Sequence, residues 1–301
     1  MEIGVVIVTY NRLEKLKIAL RSFREQTYKP AYIIVVNNAS TDGTGAYLER
    51  WSCENKKHLV INNNINNGGS GGFYDGLNKA ISLSADWIWL SDDDAYPEKE
   101  ALCKIATFID DCEGQNISAV CTAVKNKGEY DFSHRRNIKC DWFGCHEINS
   151  TKDDYNKDCF AINAFSYVGA VVSKKYLKMA GLTKKDFFIH YDDTEHSLRL
   201  SKYGKIYCIP SSIVHHDVTT ASVSNGISWK NYYGIRNKLI TYKEHMPING
   251  YIIFLCHQVI RAIYKLVFCR DKKWFFLIIT ALKDGLNKCS GIHSIYRPGW
   301  K

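Results

Sequence analysis

Short apolar runs alternate with stretches of helical spacing across residues 1–111, and few folds accommodate that alternation. Ile3 to Thr9 (IGVVIVT) reads as a buried strand, and residues 13–26 then place Leu13, Leu16, Ile18, Ala19, Leu20 and Phe23 at helical spacing. Tyr32 to Val36, His58 to Ile61 and Asp86 to Leu90 read as further strands. Gly45 to Trp51, Phe73 to Ser84 and Pro97 to Asp111 read as helices. The pattern predicts a parallel sheet with right-handed crossovers, an α/β nucleotide-binding arrangement that takes ligands at the carboxyl ends of its strands. Polar residues gather at those ends: Thr9-Tyr10-Asn11-Arg12, Asn37-Asn38 and Ser91 to Asp94. Solvated turns alone give no reason for that repetition.

At 301 residues the chain suits one large α/β domain with an appended element. Residues 112–165 are polar and irregular, which suggests loops and antiparallel strands beside an acceptor. Strands are expected at Tyr167 to Val172 and Lys205 to Ile209, and helices at Lys174 to Ala180 and 194–203. From 229 onward the pattern is helical and amphipathic. An apolar fraction of 46% excludes a disordered chain. The eleven cysteines are scattered without a CxxC pair, and Met1 runs straight into an apolar strand rather than a secretory signal. Reduced, structural cysteines in a cytoplasmic protein are therefore expected. The net charge of +9, concentrated toward the C-terminal end, suits anionic partners. No nucleic-acid motif accompanies it, which leaves nucleotide phosphates or a membrane surface.

Four constellations carry candidate chemistry. Asp92-Asp93-Asp94 follows an apolar strand, and three adjacent carboxylates repel one another unless a cation compensates. Mg2+ or Mn2+ takes such oxygen ligands and bridges carboxylate to diphosphate, whereas a solvated acidic turn or helix cap is the plain alternative. Asp92 and Asp94 are expected to divide the work, one on the ion and one on a ribose. Gly68-Gly69-Ser70-Gly71-Gly72 precedes a helix and allows close approach of backbone to phosphate, notably at Gly69, Gly71 and Gly72. It has neither Walker A nor GxGxxG spacing, and a flexible loop explains it equally well. Asp192-Asp193 opens a helix after an aromatic run, where a carboxylate can take a proton from an attacking hydroxyl or simply cap the helix. His215-His216 follows a strand and offers imidazole to a carboxylate-bound ion, though such a pair is also common as plain structure.

Together these stretches resemble the family 2 inverting glycosyltransferases of GT-A fold, which include bacterial rhamnosyl- and galactofuranosyltransferases. The matching segments are VVIVTYNR at 5–12, IIVVNNASTDGT at 33–44, NNGGSGGFYDGLNKA at 66–80, WLSDDDAYP at 89–97, FIHYDDTEHSLRL at 188–200 and the histidines at 215–216. The glycine segment and the aspartate triplet look most similar to galactofuranosyltransferases. The resemblance implies a GT-A domain over 1–225, with a nucleotide-sugar half at about 1–111 and an acceptor half at about 112–225. A helical region at 226–301 would follow. It implies that Thr9, Tyr10 and Arg12 border the nucleotide and that Asn37 or Asn38 contacts the base, although many relatives carry Asp where Asn37 stands. It further implies that Asp92, Asp93 and Asp94 hold donor and metal, that His215 or His216 adds a ligand, and that Asp193 is the base. The donor would be a UDP- or dTDP-sugar such as UDP-galactofuranose or dTDP-rhamnose, and the acceptor a glycan or lipid-linked hydroxyl.

Residues 251–282 are apolar stretches interrupted by His257, Gln258, Arg261, Lys265 and Arg270 to Lys273. That reads either as an interfacial helix on an anionic membrane or as a helical pair packed on the domain or on another subunit. Tyr232 to Lys238 (YYGIRNK) looks suited to a basic contact with acceptor or diphosphate. Three rivals stand beside the transferase. A hydrolase would use the two acidic pairs as acid and base. A nucleotidyltransferase would need a Gly-rich basic loop after the first strand, and TYNRLEK lacks one. A non-catalytic nucleotide-sugar-binding protein would not need Asp193.

Overall fold

The computed structural model describes residues 1–217 and 226–300. Its first half follows the expected alternation: β1 (Ile3–Thr9), α1 (Leu13–Arg24), β2 (Ile33–Asn37), α2 (Thr44–Glu54), β3 (His58–Asn62), α3 (Gly68–Ala80), β4 (Trp87–Asp92), β5 (Ala95–Pro97) and α4 (Ala101–Asp111). Next come β6 (Ile117–Asn126), β7 (Glu129–Tyr130), β8 (Arg135–Asp141), β9 (Gly144–Asn149), β10 (Phe160–Ile162), β11 (Ala164–Phe165) and β12 (Ala170–Ser173). The chain continues through α5 (Lys174–Ala180), α6 (Asp192–Ser201), β13 (Lys205–His216), α7 (Trp229–His245), α8 (Ile248–Val267) and α9 (Lys272–Leu286).

The main sheet has the order β10-β13-β6-β12-β4-β1-β2-β3. β1 pairs in parallel with both β2 and β4, and β2 with β3. The sheet is not wholly parallel, because β12 runs antiparallel between β4 and β6. Alternation along the strands builds two cores. Val6, Val8, Ile34 and Val36 pack on one face with Phe73 and Leu77 of α3. Val5, Ile7, Ile33 and Val35 pack on the other with Leu16, Leu20 and Phe23 of α1 and Leu102 and Ile105 of α4.

Several expectations change. Residues 112–165 hold the expected antiparallel strands, among them the β8–β9 hairpin, and also β6, a buried strand central to the main sheet between β13 and β12. Its apolar run Ile117 to Val124 carried that signal. The helix expected from Phe73 starts at Gly68, so the glycines are its first turn and not a loop. The helix expected from Pro97 starts at Ala101, because Ala95–Pro97 pairs with the end of β13 instead. Not all the cysteines are reduced: Cys140 and Cys145 stand directly opposite across the β8–β9 hairpin and form a disulfide. The domain boundary expected after residue 225 falls at the end of the stretch outside the described residues.

Candidate active site

Register brings the polar strand ends to one level. Thr9 is paired with Asn37, Asn37 with Asn62, and Val8 with Asp92. The chain turns at Asp93-Asp94 before pairing as β5. The expected division of Asp92 from Asp94 does not hold, since residues two apart in a near-extended segment share a face. Each offers an oxygen to a group with His216 in which the three candidate ligand atoms lie within 4.8 Å of one another. Asp93 turns inward, accepting from Thr9 Oγ1 at 2.7 Å and from Arg12 Nη1 at 3.2 Å. The same Arg12 nitrogen donates to Asp94 at 2.7 Å, and His216 Nε2 lies 3.3 Å from Asp94 Oδ1.

Strand alternation also separates the two histidines. His216 faces the aspartates, whereas His215 is half-exposed and pairs with Glu98 at 2.9 Å on the other side of β13. His215 is thus no part of the cluster. Tyr10 is exposed just beyond β1.

Electrostatics at this level is dominated by burial. Desolvation pushes the Asp92 carboxyl up, and repulsion from Asp94 adds to it, with His216 opposing. Burial likewise raises Asp93 to about 6 against the pull of Arg12 and Thr9. At Asp94 burial is outweighed by its hydrogen bond and charge attraction with His216, so its carboxyl sits below the ordinary range. His216 Nδ1 is buried with no hydrogen-bond partner among the described residues. Two converging carboxylates and an imidazole nitrogen fit a divalent cation, which would offset the crowded negative charge.

A cleft of about 900 Å³ opens beside this cluster and is lined by Arg12, Gly69 and Asp92 on one side and by Asp192, Asp193 and Arg136 on another. A separate hollow of about 490 Å³ between α1 and α2 reaches Ile33 and His58, the first residues of β2 and β3, so it lies at the opposite end of the sheet.

The expected donor contacts sort into two kinds. At Gly69 a Cβ would meet nothing within 4 Å among the described residues. At Gly71 and Gly72 a Cβ would lie 2.4 Å from Asn67 Cβ and 2.5 Å from Val8 Cγ1, so those two glycines serve packing within α3 and against β1. The Asn37 and Asn38 side chains also have protein partners. Asn37 Nδ2 donates to Asn62 Oδ1 at 2.9 Å, and Asn38 Nδ2 donates to the Gly68 carbonyl at 2.7 Å. Both amides tie the strand ends together and to the start of α3.

Asp192 and Asp193 open α6 directly after a strained approach. Phe188, His190 and Tyr191 all have φ between 65° and 69°, a region that non-glycine residues occupy at a cost. Asn237 of α7, fully buried, holds that approach: its Nδ2 lies within 3.0 Å of the carbonyls of Phe187, Ile189 and His190. Arg236 Nε donates to Asn237 Oδ1, and Arg236 Nη2 to the Phe187 carbonyl. The YYGIRNK segment is therefore a clamp on the loop, and its Arg236 is buried, not a free basic contact in the cleft. Lys238 donates to Glu147 at 2.6 Å, and Tyr191 and Arg136 reach the same carboxylate.

Burial raises both aspartates. Repulsion from Asp193 drives Asp192 further up, and the charge of Asp92 adds to it. At Asp193, Arg136 and the Thr194 hydrogen bonds pull the other way. Asp193 Oδ1 accepts from Thr194 N at 2.6 Å. Environment thus separates the pair: Asp193 is the one favoured as carboxylate and Asp192 the one favoured as acid. Arg136 and Glu147 were not found from sequence, where Arg135-Arg136 in a polar stretch was the one local signal. Tyr191 and Asn237 lie in the segments 188–200 and 232–238 already singled out, but their roles depend on contacts between distant segments.

Residues 4–179 match the family described as glycosyl transferase family 2, which spans more than half of the chain. Galactofuranosyltransferase GlfT1 of Mycolicibacterium smegmatis is 27% identical over 216 residues, covering 70% of this chain and 69% of that protein. Abequosyltransferase RfbV of Salmonella typhimurium is 26% identical over 187 residues, 58% of this chain and 53% of that protein. Among solved structures, S. aureus TarS 1–349 in complex with UDP-GlcNAc aligns at TM-score 0.61 and 16% identity, covering 95% of this chain and 81% of that one. GalNAc-T7 with UDP, GalNAc and Mn2+ aligns at TM-score 0.63 and 15% identity over 80% of this chain, which spans about half of that neighbour (48%). At such identities the structural likeness speaks to the fold, a mixed α/β GT-A arrangement carrying C-terminal helices. With a strand-end acidic cluster and a second carboxylate pair sharing one cleft, and with the family match running through the first of them, the chain belongs to glycosyl transferase family 2.

Proposed function

We propose that this glycosyltransferase is an inverting, metal-dependent enzyme that moves galactofuranose from UDP-galactofuranose to a hydroxyl of a growing cell-surface polysaccharide or lipid-linked glycan. The observation that carries the reading is the shared cleft. Asp92, from the three-membered cluster with Asp94 and His216, lines it together with Asp193. The 27% identity to galactofuranosyltransferase GlfT1 supports the choice of sugar, and UDP and Mn2+ in the GalNAc-T7 structure support the type of donor and ion.

In this reading Asp92, Asp94 and His216 would hold Mn2+ or Mg2+, and all three proposed ligands fall within 1–225, while residues beyond 225 complete the cleft. A divalent ion there supplies positive charge against the donor diphosphate. Arg12 and Gly69 border the donor, while Thr9 and Asp93 brace that wall. Asp193 accepts the proton of the acceptor hydroxyl as its oxygen bonds to the anomeric carbon. The bond from that carbon to the diphosphate oxygen breaks in the same displacement, and the nucleoside diphosphate leaves with its electron pair. One displacement inverts the anomeric configuration, with no covalent glycosyl-enzyme.

The test is a purified-enzyme screen of UDP-galactofuranose, UDP-galactose, UDP-glucose and dTDP-rhamnose, with and without Mn2+. UDP-galactofuranose is expected to turn over only with metal. Asp193→Asn should abolish transfer while UDP still raises the melting temperature, and His216→Ala should remove the part of that rise that depends on Mn2+. Failure of every donor to be transferred or hydrolysed would overturn the reading, and turnover of dTDP-rhamnose alone would replace the sugar.

A further inference from the structure

The outer face of α8 is apolar and open. Ile248, Ile252, Ile260, Ile263 and Val267 recur at the spacing of one helix face and are all exposed, Ile260 by 65%, and Phe268 ends the stripe at 74%. The opposite face, with Gly250, Gln258 and Ala262, is buried. At the start of α8 the stripe meets the turn of the β8–β9 hairpin. Asn249 Nδ2 donates to the Asp141 carbonyl at 2.8 Å, and Gly144 lies against Ile253. That turn carries Trp142 and Phe143, exposed by 87% and 78%, on a hairpin closed by the Cys140–Cys145 disulfide. A monomer seldom leaves so continuous an apolar surface in water.

Charge selects the occupant. Residues 226–301 hold thirteen Lys and Arg against three Asp and Glu, and the rest of the chain is close to neutral. Arg270, Lys272 and Lys273 are exposed at the turn that follows the apolar stripe. A second copy of this chain would set those cations against their own kind, whereas an anionic bilayer attracts them. α8 is long and apolar enough to cross a bilayer, but it is packed along α7, α9 and β9 and carries Arg261 and Lys265, both stacked on Trp274. Lying in the interface keeps those contacts, and spanning would break them.

We propose that the α8 stripe and the Trp142–Phe143 hairpin turn together form a docking surface for an anionic lipid bilayer, with the basic α8–α9 turn at the headgroups. The two parts act as one footprint because the hairpin turn is fixed to the first turns of α8. Arg261 and Trp274 also line the catalytic cleft, so docking through these helices holds the cleft close to the membrane plane. The inference stands on the surface alone and does not depend on which sugar is transferred.

The experiment is cosedimentation of the full chain with vesicles of phosphatidylcholine containing about 30% phosphatidylglycerol, against phosphatidylcholine alone. Binding is expected to the first only, and to weaken as salt rises. Ile260→Glu with Ile263→Glu, Trp142→Ser with Phe143→Ser, and Lys272→Glu with Lys273→Glu should each cut the bound fraction by roughly tenfold. All these residues are exposed, and an unchanged melting curve verifies folding. Hydrolysis of the donor in free solution should be unaffected, which separates a failure of docking from a failure of the transferase reading. Equal binding to both vesicle types, or no binding, overturns the proposal. So does a dimer in light scattering that Ile260→Glu dissociates, and so does full chain in cell membranes that resists extraction by salt and alkaline carbonate.

Discussion

Arg136 shows how one side chain can set the working range of another. It donates to Thr194 Oγ1 at 2.8 Å and pairs with Glu147, and its charge opposes the burial that raises Asp193. In its proposed role as base Asp193 must be ionised, so transfer should be lost as pH falls through its pKa. Burial places that limb above the ordinary carboxylate range. Replacing Arg136 by Met removes a positive charge that favours the carboxylate, and the sign follows: the Asp193 pKa rises further. The acid limb of kcat/KM should therefore move to higher pH in Arg136→Met, while the plateau changes less. An unmoved or downward-moved limb would remove Asp193 from the role of base. The separation of His215 from His216 belongs to this scale too. Strand alternation puts them on opposite sides of β13, whereas the sequence left open whether His215 or His216 adds the ligand.

At the scale of elements, α3 is governed by what it packs on rather than by what it is made of. Four of its first five residues are glycine, each costing about 1 kcal/mol relative to alanine in a helix. That composition hid the helix start in the sequence, where a run of glycines reads as a loop. Gly76 shows the compensating contact, since a Cβ there would stand 2.3 Å from Val6 Cγ1 in the centre of the sheet. The gain of about 1 kcal/mol in helix propensity competes with an overpacking cost of about 1–3 kcal/mol. The rigid neighbour decides it. Gly76→Ala should lose about 1–2 kcal/mol in urea denaturation, whereas Gly69→Ala should leave stability level or slightly higher and weaken donor binding in the cleft. Equal effects at the two positions would refute the packing account. The strands of the first half were legible because a buried strand writes a continuous β-branched run into the chain. The convergence of Asp92 and Asp94 obeys the strand period of two, since residues two apart share a face, so the expected division of their work had no basis in alternation. What had no local mark was the inward turn of Asp93 onto Thr9 and Arg12. Asn237 was illegible for another reason: its partners at Phe187, Ile189 and His190 are nearly fifty residues away in sequence.

For the whole molecule, the consequence is that the C-terminal helices and the candidate cleft are not separable parts. The family match ends at 179, and the strand-end cluster lies wholly within 1–217, so a chain cut after 225 keeps every proposed metal ligand. It loses α7, and with it the Asn237 and Arg236 bonds that hold three left-handed residues in place, each of which costs about 1–3 kcal/mol. Phe188, buried among Tyr232, Tyr233 and Leu239, would be exposed as well. The strained approach to Asp192-Asp193 then has no reason to persist, and a displacement of about 1 Å at a base can lower turnover by about a hundredfold. The full chain should accordingly melt in one cooperative transition, while the 1–225 piece loses transfer. Because that piece could fail simply by aggregating, Asn237→Ala in the full chain is the sharper form of the test. It keeps the α7 packing and strips partners from buried carbonyls, so stability should fall by about 1–3 kcal/mol. UDP affinity should hold while kcat drops. A variant that retains kcat, or one that loses UDP affinity and kcat together, would show that α7 does not position the carboxylate pair.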